Sequence, residues 1–225
     1  MKTFKEYHGR HLTEDKKKTD DDCHCYVDNS EFEALSKWLE KNEDVFRPIK
    51  NAEHTLVGDP SVKWGPKHKD VMDKLVAKGF DASYPYGRCH VVASFVFYAL
   101  GGYSSDYNLM CIDAKHLPFT YKGIKSTTSH WYVQHKTSGH IIDLTRDQFK
   151  RLGINLKDKY KHGTRSAIGW AWYHTKKHGK RHYKNVVPSM HCLQVYDRYR
   201  SDVKKIPHLE KWHGECLYAT ERRKK

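Results

Sequence analysis

Tyr84-Pro85-Tyr86-Gly87-Arg88-Cys89-His90-Val91-Val92-Ala93-Ser94-Phe95-Val96-Phe97-Tyr98-Ala99-Leu100, stopped by Gly101-Gly102, carries the strongest fold signal in this 225-residue chain. Its first five residues are turn chemistry, because Pro85 fixes its φ and Gly87 supplies conformations closed to other residues. The twelve residues that follow, Cys89 to Leu100, are too evenly apolar for periodicity to separate helix from strand. Their length and the Gly-Gly stop favour a buried helix, with Cys89 in its first turn.

That position matters chemically. Thiol catalysis needs a thiolate, and an ordinary cysteine with a pKa near 8.5 is mostly protonated at neutral pH. The first turn of a helix offers free N–H groups and the positive end of the dipole, both of which favour an anion. The same N–H groups can receive the oxyanion of an attacked carbonyl. Gly87, two residues before Cys89, leaves room for a substrate to approach. Tyr84 and Tyr86 lie just upstream and have two readings, as extra oxyanion donors or as core tyrosines.

A nucleophilic cysteine requires a histidine held by a third polar group. Working outward, Ser129-His130-Trp131-Tyr132-Val133-Gln134-His135 and His140-Ile141-Ile142-Asp143-Leu144-Thr145 flank a turn that ends in Gly139, the pattern of a β-hairpin. Side chains alternate along strands, so parity decides which residues share a face. A four-residue loop, 136–139, sets Tyr132 opposite Asp143 with His130 diagonal to it; a two-residue loop sets His130 directly opposite. In both cases His130 and Asp143 share one face, expected to be the exposed one. Trp131, Val133, Ile142 and Leu144 form the other, which reads as the core face.

Cys89 at a helix start, His130 41 residues later and Asp143 13 beyond that resemble the order and spacing of the transglutaminase-like branch of papain-fold enzymes. The string His130-Trp131-Tyr132-Val133, then Gly139, then Asp143-Leu144-Thr145-Arg146-Asp147-Gln148-Phe149 resembles the YunG-like proteins of bacteria and phages more specifically. The resemblance covers about 65 residues and departs at His90, where a small residue is commoner, and in the basic tail. It implies a papain-like fold and a Cys89–His130–Asp143 triad, and it implies no substrate.

The rest of the chain builds around this core. Residues 1–29 mix charges without periodicity and are expected to be a flexible arm. Ser30 and Glu33 form a capping-box signature ahead of Phe32, Leu35, Trp38 and Leu39, predicting a helix over 30–42. Residues 47–65 read as loop. Val71, Met72, Leu75 and Val76 predict a second helix ended by Gly79. Short helices are expected near 165–178 and 189–204. With residues 30–149 as the catalytic core and 150–225 as an extension of the same domain, the expected class is α+β: a papain-like core in which a Cys-bearing helix packs on an antiparallel sheet.

Charge is unevenly placed. From Lys150 to Lys225 there are 20 Lys and Arg against 6 Asp and Glu, whereas the first 149 residues are neutral. This points to an anionic partner, either nucleic acid or an acidic protein, or else to a solvated face. Trp170, Trp172, Lys176, Lys177, Lys180 and Arg181 interleave rings and cations in the manner of a single-strand-binding surface, and equally of a helix with an aromatic core face. Cys23-His24-Cys25 is too tight for one tetrahedral zinc site, and His191, Cys192, His213 and Cys216 offer the better spacing, but no CxxC occurs. No metal and no cofactor is expected. No apolar stretch is long enough to span a bilayer and no signal sequence is visible, so a cytoplasmic protein with no membrane partner is expected.

The expected activity is therefore that of a cysteine hydrolase, peptidase or acyltransferase acting on a peptide or protein substrate at an amide, isopeptide or thioester. The alternative is a basic nucleic-acid or protein-binding module on the same scaffold.

Overall fold

The computed structural model describes residues 27–46, 66–165, 190–203, 206 and 208–211. Among these residues four α-helices, α1 (Glu33–Lys41), α2 (Pro66–Ala77), α3 (Cys89–Ala99) and α4 (Met190–Asp202), accompany six strands: β1 (Tyr107–Ile112), β2 (Pro118–Tyr121), β3 (Ile124–Thr127), β4 (His130–His135), β5 (Ile141–Ile142) and β6 (Gly163–Arg165). The class is α+β. β5, β4, β1 and β6 lie in that order in one antiparallel sheet, and β2 and β3 form a separate hairpin.

Strand alternation sorts the sheet's side chains into two cores. Tyr107 and Leu109 of β1, Val133 of β4 and Ile142 of β5 join α3, Leu35, Trp38 and Leu39 of α1, and Val195, Tyr196 and Tyr199 of α4. Ile112, Tyr132 and Ile141, on the opposite face, join Leu75 of α2, Phe80, Leu117, Phe149, Leu152 and Tyr160. Both faces of the sheet are thus covered, and residues Val91 to Tyr98 of α3 are all buried, as a helix apolar on every side requires.

The predicted hairpin keeps its four-residue loop. Val133 pairs with Ile142 and Gln134 with Ile141, and the His135 N–H donates to His140 O at 2.8 Å. This register sets His130 and Asp143 on one face. That face is not exposed, however: the chain after β5 folds back over it, bringing Phe149 and Tyr160 into the second core.

Three other expectations change. Residues 27–29 belong to the fold rather than to an arm, since Val27 bridges Ile141 and the Asp28 N–H donates to Ile141 O. Ser30–Phe32 forms a 3₁₀ turn, and the Ser30 N–H is received by Asp28 Oδ1 at 2.9 Å, so no Ser30–Glu33 capping box forms. Glu33 instead pairs with Lys37 one turn on. Val76, read as part of an apolar face, is exposed. The predicted loop 47–65 and the helix near 165–178 lie outside the described residues.

The C-terminal third contributes to the same cores. β6 pairs with β1, and α4 buries Cys192, Val195, Tyr196 and Tyr199 against α3 and α1, with the Trp38 ring edge-on to Tyr199 at 5.3 Å. Some of its basic residues have internal duties. Arg151 donates to Asp81 O, Ser83 O and Tyr84 O at 3.0–3.1 Å and pairs with Asp81, so it clamps the turn that leads into Cys89.

Candidate active site

Two turns set the start of α3. The Tyr86 N–H donates to Ser83 O and the Arg88 N–H to Pro85 O, and Gly87 sits at φ +69°, a conformation that strains any other residue. A Cβ at Gly87 would meet nothing within 4 Å, so the approach to the helix N-terminus is open there. The Gly87 N–H is received by Gln148 Oε1 at 3.0 Å, and Gln148 Nε2 donates to Thr145 O at 3.0 Å. The buried Gln148 therefore ties the cysteine turn to the segment that follows Asp143. Cys89 is the first residue of α3 and is buried. The next residue, His90, packs edge-on to Trp131 at 5.4 Å, which accounts for a large ring where a small residue was expected.

His130 opens β4 and Asp143 follows β5. His130 is fully buried and Asp143 is 2% exposed. His130 Nε2 lies 2.6 Å from Asp143 Oδ2. Burial would lower the imidazole pKa, but the Asp143 charge and hydrogen bond, and after them Cys89, raise it to about 9. Phe149 packs edge-on to the ring at 4.5 Å and Tyr132 stacks at 6.0 Å, limiting its tilt.

Asp143 is held from every direction. Its Oδ2 also accepts from Tyr160 Oη at 2.7 Å, and its Oδ1 accepts from the Thr145 N–H at 3.1 Å and Thr145 Oγ1 at 3.3 Å. The Asn29 side chain brackets the backbone, accepting from the Asp143 N–H at 2.8 Å and donating to Asp143 O at 2.9 Å. A buried carboxylate is tolerable only when its lone pairs are satisfied in this way.

The two upstream tyrosines part company. Tyr86 packs on Phe80 at 4.6 Å in the second core, and burial, helped by the charge of Cys89, pushes its phenol up to about 12. It is therefore a neutral O–H near Cys89. Tyr84 packs against the first core, and burial followed by the charges of Glu40 and Asp143 raises its phenol. Cys111 on β1 is the other thiol near the site; burial, then Cys89 and Asp113, push it up to about 12. An open cleft of about 700 Å³ lies nearby, lined by Val27, Arg146, Lys150, Ile154 and Tyr160 among others. Of its lining residues, Tyr160 bonds to Asp143.

Among the described residues no group of three His, Cys, Asp or Glu could hold a metal ion, and Cys192 is buried in the first core. His213 and Cys216 lie outside the described residues, as do Cys23, His24 and Cys25. Trp170, Trp172, Lys176, Lys177, Lys180 and Arg181 lie outside them too. Among the described residues, no helix is long and apolar enough to cross a membrane. Comparison with protein-family models, curated proteins and solved structures finds no match to this chain.

The His130–Asp143 pair carries a pH dependence with a definite sign. Its imidazole pKa is raised from an ordinary 6.5 to about 9, so the stabilisation is fully present below about pH 6.5 and is lost as pH rises through 9. Wild-type stability relative to Asp143→Asn should therefore decline by about 2–3 kcal/mol between pH 6 and 10. Denaturant midpoints across that range measure it; a difference that is flat or grows with pH contradicts the pairing.

Proposed function

We propose that this chain is a thiol-dependent hydrolase or acyltransferase on a papain-like or transglutaminase-like scaffold, with Cys89 as nucleophile, His130 as base and Asp143 as its orienter. The observation that carries this reading is the 2.6 Å His130–Asp143 bond, buried, with Cys89 acting on the same ring. A buried ion pair is often no more stabilising than apolar residues of equal volume. Its presence beside a cysteine on a helix N-terminus is better accounted for by chemistry than by stability.

In this reading Cys89 Sγ attacks the carbonyl carbon of an amide, isopeptide or thioester, forming a C–S bond and pushing the carbonyl electrons onto oxygen. The first-turn N–H groups receive that oxyanion, with the neutral Tyr86 hydroxyl as a second donor. His130 delivers the proton to the leaving amine or thiol as its bond to carbon breaks. Water or an amine, deprotonated by His130, then attacks the acyl-enzyme and restores the thiol. Asp143 keeps the ring in the tautomer and orientation both halves require.

A small acyl thioester tests this. Incubation should leave one acyl group on the chain, mapped by peptide mass to Cys89, and none on the Cys89→Ser variant. Acylation spread over several cysteines, or none at all, refutes the assignment.

The charge of the last third supports a second reading alongside the first, in which Lys176, Lys177, Lys180 and Arg181 contact an anionic partner. Counterion release makes such binding fall linearly in log salt. Binding of a single-stranded oligonucleotide should weaken across roughly 50 to 300 mM salt and disappear when these four cations become Glu. Absence of binding at the lowest salt removes nucleic acid and leaves an acidic protein as the partner.

A further inference from the structure

We propose that Tyr160 is a positioning residue of the candidate triad: its hydroxyl donates to the same carboxylate oxygen that holds His130, fixing that oxygen and moderating the charge the imidazole faces. The inference rests on the triad reading above and adds to it a residue that stands 17 positions beyond Asp143.

The geometry is specific. Asp143 Oδ2 has two short contacts, His130 Nε2 at 2.6 Å and Tyr160 Oη at 2.7 Å, while Oδ1 is occupied by Thr145. Tyr160 is itself buried and braced: its ring meets Tyr132 edge-on at 4.9 Å, and its carbonyl accepts from Tyr132 Oη at 3.2 Å. Tyr132 in turn stacks on His130, so one brace holds both the acceptor and the ring it orients. Burial and then the Asp143 charge raise the Tyr160 phenol, which keeps it a neutral donor rather than a competing anion. The titratable and charged groups around the pair are Cys89 from α3, Tyr84 from the turn before it, Tyr132 from β4, Arg146 from the turn after β5, and Tyr160.

Charge logic gives the sign. A hydrogen bond to the carboxylate stabilises it most when His130 is neutral and no longer compensates it. Removing the bond should therefore make the pair hold its proton to higher pH. A residue that merely filled space would leave that midpoint where it is.

The test is the titration of the His130 ring, followed by NMR in the full-length chain. In Tyr160→Phe, which keeps the ring packing, the midpoint should rise by about one pH unit, the scale of one charge-assisted hydrogen bond. Placing 3,5-difluorotyrosine at position 160 strengthens the donor and should move the midpoint down. If Tyr160→Phe fails to fold, the fluorinated chain decides by itself. An unchanged midpoint, or a shift of the opposite sign in either variant, overturns the proposal. Cys89 labelling reads the catalytic proposal separately. A reactive Cys89 with an unshifted His130 removes Tyr160 alone; an unreactive Cys89 removes the catalysis, and Tyr160's part in it, whatever His130 does.

Discussion

Replacing His130 by Gln should slow the alkylation of Cys89 by iodoacetamide at pH 6.5 by about tenfold. An ordinary cysteine is about 1% ionised two units below its pKa and the thiolate is the reacting species, while a thiolate of lower pKa is intrinsically less nucleophilic and gives back part of that gain. His130 is a buried imidazole to whose raised pKa Cys89 contributes, and the pair with Asp143 favours its protonated form at this pH. Gln roughly preserves the volume packed under Phe149 and Tyr132 and can still donate to Asp143, so the fold should survive. Asp143→Asn should lower the rate less, because the ring stays in place and loses only its charged acceptor. A His130→Gln rate within threefold of the wild type would remove His130 from the site.

Gly163→Ala should strongly destabilise the second core. A Cβ built there would stand 1.9 Å from Tyr132 Oη, 2.9 Å from its Cζ and 3.1 Å from Tyr160 O. The Tyr132 ring has nowhere to go: it is fully buried, its hydroxyl donates to Tyr160 O, and it packs between His130 and Tyr160. Overpacking of this severity costs about 3 kcal/mol, equivalent to roughly 6–12 °C of melting temperature for a chain of this size. Because the displaced ring braces the site, Cys89 labelling should slow as well. Tyr132→Phe removes the closest atom and should partly rescue the melting temperature of Gly163→Ala. A melting temperature within 2 °C of wild type for the single variant would contradict the close approach of the Tyr132 ring to Gly163.

What could be read from the residues was what depends on near neighbours. The parity of the 129–145 hairpin follows from a loop of four residues, so the shared face of His130 and Asp143 was derivable without knowing anything else in the chain. The α3 helix and its Cys89 start were legible for the same reason, from a turn, an apolar run and a glycine stop. The burial of that shared face was not. It comes from residues that return later in the chain, Phe149 and Tyr160, and alternation within a hairpin carries no information about what folds over it.

The groups that hold Asp143 divide in the same way. Thr145, Gln148 and Phe149 sit in the Asp143-Leu144-Thr145-Arg146-Asp147-Gln148-Phe149 string, and their roles as carboxylate donor, turn tie and ring wall were latent in it. Asn29 gave no signal, because it reaches Asp143 across 114 positions from a segment whose composition reads as arm. Tyr160 lies in a basic stretch where a tyrosine suggests stacking on a partner as readily as bonding within the fold. Arg151 likewise counted toward the basic excess, yet its guanidinium is spent on the carbonyls of the Cys89 turn. Net charge over a segment cannot separate cations that face a partner from cations that close a loop.

Whether Cys89 is an activated nucleophile is decided by competitive labelling of the folded wild-type chain. A substoichiometric pulse of iodoacetamide at pH 6.5, followed by peptide mapping, compares it with Cys111, whose thiol is pushed up to about 12, and with the core residue Cys192. Cys89 should take nearly all the label before either of the others reacts, although it is itself buried. Labelling of Cys89 no faster than Cys111, or only after denaturation, would contradict the assignment.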